Sequence, residues 1–139
     1  MAEAPSDGPI IGVIDDDESV RMGIRSLLRS LGFQVETFGS AEGLLAFARL
    51  DDIGGLIVDV RLPGMSGLDL QRQLAATKRD LPLTFISAHD DPATRRQALA
   101  AGALAFLRKP FSEKALIDAV RAALDRAGGG QRSKPSAAE

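Results

Sequence analysis

Five side chains spread along this sequence could do chemistry together if the fold gathered them: the acids Asp15, Asp16 and Asp59, the hydroxyl of Ser87 and the ammonium of Lys109. Each lies at or just past the end of a short apolar run: Ile10-Ile11-Gly12-Val13-Ile14, Leu56-Ile57-Val58, Leu83-Thr84-Phe85-Ile86 and Ala103-Leu104-Ala105-Phe106-Leu107. Several carboxylates stay both charged and close only with positive charge between them, and their hard oxygens suit Mg²⁺. Magnesium with one lysine suits phosphoryl transfer, because metal and ammonium offset charge on the phosphoryl oxygens while a nucleophile is held in line. A carboxylate can be that nucleophile, and the product is then an aspartyl phosphate. Taken singly, these residues also fit plainer roles. Asp15 to Glu18 make a solvated acidic helix start, and Asp59 makes a loop cap. Ser87 makes a buried strand hydroxyl bonded to backbone, Lys109 a surface lysine, His89 a loop residue and Phe106 core. The chemical reading rests on their joint placement.

That placement follows from the elements. Apolar runs of strand length bounded by turn residues read as buried strands. Pro63, Gly64 and Gly67 break any regular element after Asp59, which therefore ends its strand. Gln34-Val35-Glu36-Thr37-Phe38 alternates polar and apolar, as a half-covered edge strand does. Val20, Ile24, Leu27, Leu28 and Leu31 share one helical face, closed by Gly32. Ser40 caps a second helix carrying Leu44, Leu45, Phe47 and Ala48, and Gly54-Gly55 leads into the Asp59 strand. Ser66 with Asp69 forms a capping box for a third helix, and Asp91-Pro92 opens a fourth that Gly102 closes. Ser112 caps the last, with Leu116, Ile117, Val120 and Leu124 on one face.

Five strands thus alternate with five helices, which predicts an α/β fold: a doubly wound (βα)5 parallel sheet covered on both sides. In the flavodoxin-like order 2-1-3-4-5 the topological switch lies between strands 1 and 3, and it sets Asp15 and Asp16 beside Asp59 at the ligand-binding edge.

Composition narrows the class. The chain has 139 residues, 45% hydrophobic and 26% charged, which suits one globular domain with a sizeable core. A net charge of -2 lacks the basic footprint of a nucleic-acid binder, so no direct nucleic-acid contact is expected. With no Cys and one His, disulfides, thiolate sites and histidine-rich zinc sites are excluded. The opening residues lack a signal-peptide pattern, and no apolar run approaches the roughly 20 residues of a membrane span. The expectation is a soluble cytoplasmic protein. Residues 1–8 are expected to be a flexible N-terminus, 9–126 the folded domain, and 127–139, rich in Gly, Ser, Pro and charge, a flexible linker or tail.

The runs Val13-Ile14-Asp15-Asp16-Asp17, Asp59-Val60-Arg61-Leu62-Pro63-Gly64-Met65-Ser66-Gly67, Ile86-Ser87-Ala88 and Lys109-Pro110-Phe111 closely resemble receiver domains of two-component response regulators, over about residues 9 to 126. The resemblance implies a signalling switch rather than an enzyme, in which Asp59 accepts a phosphoryl group from the phosphohistidine of a sensor histidine kinase. It also implies Mg²⁺ held by Asp16, Asp59 and the backbone carbonyl of Arg61, with Asp15 helping through water or directly. Lys109 would contact the phosphoryl group, Ser87 would swing to it, and Phe106 would change rotamer as the coupled switch. The Lys109-Pro110 bond would be cis. Output would be protein-protein contact through the surface of the fourth helix and fifth strand, which could also pair two activated copies.

The Asp-Val-Arg-Leu-Pro-Gly-Met-Ser-Gly run and the Phe switch are most similar to the FixJ type, whose members usually carry a helix-turn-helix output domain. No such pattern follows Gly128 here, and the expectation is a stand-alone receiver. Arg61 and His89, two residues past Asp59 and Ser87, flank the pocket and are expected to tune the lifetime of the acyl phosphate. Three other classes compete. A phosphate-independent interaction module would keep the fold. An aspartyl phosphohydrolase would normally want an acid where Arg61 stands, and a flavin protein would want a phosphate cradle where four acids stand.

Overall fold

The structure is a computed structural model that describes residues 8–77, 79–89 and 91–136, the last ten of them by backbone alone. Five strands form one parallel sheet: β1 (Ile10–Ile14), β2 (Gln34–Phe38), β3 (Ile53–Asp59), β4 (Leu83–Ser87) and β5 (Ala105–Arg108), in the order β2-β1-β3-β4-β5. The helices are α1 (Glu18–Ser30), α2 (Ala41–Leu45), α3 (Gly67–Ala76), α4 (Pro92–Ala100) and α5 (Glu113–Ser136). The expected fold class and strand order are both met.

Side-chain alternation along the central strands explains why both faces must be covered. Ile10, Ile14, Leu56, Val58 and Phe85 point into a core shared with Leu44, Leu70, Leu74, Ala98 and Phe106. Ile11, Val13, Ile57 and Ile86 point the other way and pack with Ile24, Leu28, Leu116 and Val120. A strand apolar at every position is therefore sealed by α2, α3 and α4 on one side and by α1 and α5 on the other. Among the described residues, no helix is long and apolar enough to cross a membrane.

Helix ends follow local chemistry. Asp17, Ser40, Ser66 and Asp91 each accept a backbone N–H at an N-cap, and Ser66 with Asp69 completes the capping box. Gly32 (φ +93°) and Gly102 (φ +105°) each sit just past a helix in the left-handed region. There Gly32 N–H donates to the Arg29 carbonyl and Phe33 N–H to the Leu28 carbonyl, a Schellman closure repeated by Gly102 to Leu99 and Ala103 to Ala98.

Four boundaries differ from the sequence reading. Ala103 is spent closing α4, so β5 starts at Ala105 rather than Ala103. α2 stops at Leu45, because the Phe47 N–H already bonds back three residues to Leu44. The tightened chain sets the Phe47 ring edge-on to Phe38, with centroids 5.3 Å apart. Gly54 and Gly55 lie within β3 rather than before it. A Cβ on Gly54 would stand 2.7 Å from Pro9 Cβ, and one on Gly55 2.9 Å from Ala123 Cβ, so they admit close neighbours instead of turning the chain. Lastly, α5 continues to Ser136, so the domain end expected at residue 126 falls inside a helix, and residues 127–136 of the expected tail are helical. Extending an existing helix needs no new nucleation, so α5 carries on through Gly128 to Gly130 although glycine is a poor helix former. The remaining expectations for residues 1–7 and 137–139 concern positions outside the described residues.

Candidate functional site

The parallel register brings four strand ends to one edge. Ile14 pairs with Val58, Asp59 with Ile86, and Ser87 with Arg108, so the residues that follow β1, β3 and β5 emerge together. Asp15 is wholly buried, Asp59 is 8% exposed, and Asp16 faces solvent. Between the two buried acids lies the Lys109 ammonium, with Nζ 2.9 Å from Asp15 Oδ2 and 3.1 Å from Asp59 Oδ2. The positive charge that the acid cluster demands thus comes from the chain itself.

Each acid is also held by backbone. Asp15 Oδ1 accepts from Asp17 N–H at 2.9 Å, and Asp59 Oδ1 accepts from Arg61 N–H at 3.0 Å. The Asp15 amide donates to the Phe38 carbonyl, and the Arg21 guanidinium donates to the Asp15 carbonyl at 2.7 Å. Lys109 is aimed by its own amide, which donates to the Ser87 carbonyl at 2.7 Å, and the Lys109-Pro110 bond after it is cis. Burial pushes the Asp59 carboxyl above the ordinary aspartate range. The Arg61 N–H and Lys109 offset part of that rise, while the charge of Asp15 adds to it. For Lys109 burial favours the neutral amine, but bonding to Asp15 and Asp59 outweighs it and holds the ammonium above the usual lysine range.

Asp15, Asp16 and Asp59 each present one carboxylate oxygen within 4.8 Å of the others. An all-oxygen set of three acids has the chemistry for a hard divalent cation and lacks the nitrogen or sulfur ligands that zinc prefers. The donors present therefore fit Mg²⁺.

The remaining expected residues surround this centre. The Ser87 hydroxyl donates to the His89 carbonyl at 3.0 Å and accepts from the His89 N–H at 3.1 Å, so it is committed to the chain two residues on. Phe106 is buried, 6.2 Å from the Phe85 ring, with the Arg95 guanidinium 5.8 Å above its centroid. Arg61 and His89 have exposed side chains on the two loops that border the acids. Arg61 also contributes, after the Thr94 hydroxyl and backbone N–H groups, to holding the Asp91 carboxyl below its ordinary range. Sequence reasoning missed Arg21, which braces the Asp15 carbonyl, and Glu42, whose carboxylate accepts the Met65 N–H at 3.0 Å. Neither lies in a local pattern with the acids, so periodicity and spacing carried no signal for them.

The chain is similar to known proteins in both sequence and fold. The family model described as the response regulator receiver domain matches residues 11–121. The response regulator protein TodT of Pseudomonas putida is 43% identical over 130 residues, covering 94% of this chain and 57% of TodT. The structure of the response regulator StyR superposes with a TM-score of 0.84 at 45% identity, covering 93% of this chain and 65% of that one. FixJ-N superposes with a TM-score of 0.77 at 36% identity, covering 86% and 95%. The chain spans little more than half of curated relatives such as TodT, at 57% of its length.

Proposed function

This chain belongs to the response regulator receiver domains of two-component systems, and from that membership we propose that it is a phosphoacceptor switch acting through Asp59. The observation that carries the reading is the Lys109 ammonium seated between Asp15 Oδ2 and Asp59 Oδ2 at the carboxyl edge of the sheet. In the transfer, an oxygen of Asp59 attacks the phosphorus of a kinase phosphohistidine; the new O–P bond forms as the N–P bond breaks, and the imidazole nitrogen leaves with the electron pair. Lys109 turns from the carboxylate to a phosphoryl oxygen and offsets its charge. The carboxylates of Asp15, Asp16 and Asp59 and the Arg61 carbonyl would hold Mg²⁺, which when bound neutralises charge on the transferred group.

Output follows from the same pocket. Ser87 leaves the His89 backbone for the phosphoryl oxygens, and Phe106 moves into the space vacated, altering the surface of α4 and β5. That surface then selects a downstream protein or a second activated copy. Residues 9–126 carry this activity in the cytoplasm, where the donor is a sensor histidine kinase. The pocket assists its own phosphorylation and slow dephosphorylation and turns over no other substrate.

Intact mass after incubation with acetyl phosphate tests the reading. Wild type gains one phosphoryl group only with Mg²⁺, and Asp59→Ala gains none. No gain in a wild-type chain that circular dichroism shows folded would instead favour a phosphate-independent interaction module. A second expectation concerns lifetime. Arg61→Ala and His89→Ala each change the hydrolysis rate of the acyl phosphate by about threefold, a barrier change of under ~1 kcal/mol. Equal rates in the three proteins remove the tuning role.

A further inference from the structure

The loop from Val60 to Ser66 carries the Arg61 backbone that bonds Asp59 Oδ1, so its position sets the acid's orientation. Its base is closed by the Gly67 N–H donating to the Val60 carbonyl at 3.0 Å. Its apex is closed from another part of the chain. Glu42, in the first turn of α2, accepts the Met65 N–H on Oε2 at 3.0 Å, across 23 residues of sequence. The same oxygen lies 2.8 Å from where a Cβ at position 64 would stand, and Gly64 has φ +75°. A left-handed glycine and a carboxylate seated on it therefore define one turn, since a side chain at 64 would displace Glu42.

We propose that Glu42 is a positioning residue for the phosphoacceptor site: its carboxylate pins the apex of the β3–α3 loop and thereby keeps the Arg61 backbone aligned with Asp59. The inference rests on the phosphoacceptor reading and extends it to a residue outside the acid pocket. Glu42 is exposed, so its carboxylate loses little hydration in accepting this bond, and its replacement costs the fold little. Its effect is local, through a backbone N–H that otherwise faces water.

Three readouts on wild type, Glu42→Ala and Glu42→Gln test this. In metal-free protein, amide hydrogen exchange at Met65 speeds up in Glu42→Ala. Calorimetric titration shows Mg²⁺ binding weakened about fivefold in that variant, the equivalent of one ordinary hydrogen bond. Glu42→Gln keeps an acceptor oxygen and stays within about twofold of wild type on both readouts, and the thermal midpoints of all three agree within ~2 °C. Unchanged exchange and Mg²⁺ affinity in Glu42→Ala, in a wild type that acetyl phosphate modifies, overturn the Glu42 assignment alone. Failure of wild type to take up the phosphoryl group overturns the phosphoacceptor reading on which it rests.

Discussion

Lys109→Met is expected to lower the unfolding free energy by about 3 kcal/mol at neutral pH without divalent ions, the scale for breaking a buried ion pair from one side. Asp15 is fully buried and Asp59 nearly so, and the ammonium is shared between them at 2.9 and 3.1 Å. Methionine keeps most of the apolar stem and removes the charge, leaving two carboxylates facing one another. Their escape is protonation, and Asp59, already pushed up by burial and by the charge of Asp15, takes the proton first. A carboxyl whose folded pKa exceeds its unfolded value contributes stability that is complete below the unfolded pKa and lost as pH rises through the folded one. The variant therefore regains stability as pH falls from neutral toward the carboxylate range, more steeply than wild type, where Lys109 draws the Asp59 pKa down. Adding Asp59→Asn removes one of the two charges and restores about half of the loss. Urea unfolding followed by far-UV circular dichroism at two pH values measures all of this. A loss independent of pH, or one that Asp59→Asn leaves unchanged, would show that the ammonium is not the counter-charge of the pocket.

Gly67→Ala is expected to cost about 3 kcal/mol by overpacking alone. A Cβ at 67 would stand 2.6 Å from the Asp59 carbonyl oxygen, 3.0 Å from Phe85 Cε1 and 3.1 Å from Val60 Cα. Two of these neighbours are backbone of the strand end that presents the acid, so relief must move either α3 or Asp59. Gly23→Ala is the internal control. It lies in α1 with nothing within 4 Å of the added Cβ, and it is expected to stabilise by about 0.5–1 kcal/mol through helix propensity. Thermal unfolding of the pair separates close packing from propensity. A Gly67→Ala protein as stable as wild type would mean that α3 does not bear on the Asp59 strand end as closely as 2.6 Å implies.

The elements were legible wherever local chemistry decides them. β1, β2 and β4 have the bounds read from their apolar or alternating runs, and Ser66, Asp91 and Gly102 stop or start helices for reasons contained within a few residues. Gly54 and Gly55 were misread as a lead-in because their use depends on Pro9 and Ala123, which approach from 45 residues before and 68 after. The acid cluster was legible as a charge problem, but its solution was assigned to metal. Lys109 was legible at the same sheet edge from its place after the fifth strand, but not its direct seat between Asp15 and Asp59, which depends on side-chain reach across the sheet. The Ser87 hydroxyl is bonded to backbone and Phe106 is core, as their plainer readings have it. Glu42 and Arg21 stayed hidden because both act through backbone groups, which every residue possesses.

Chain synthesis adds a constraint of its own. Asp15 emerges first, Asp59 next, and Lys109 follows 94 and 50 residues behind them. Until it does, pairing β1 with β3, neighbours in the middle of the sheet, brings the two acids together without their lysine. Parallel pairing over such distances is slow in any case. The outermost strand thus delivers the last ladder and the missing counter-charge in one step. The pocket's own counter-charge is therefore complete only when the whole domain has been made.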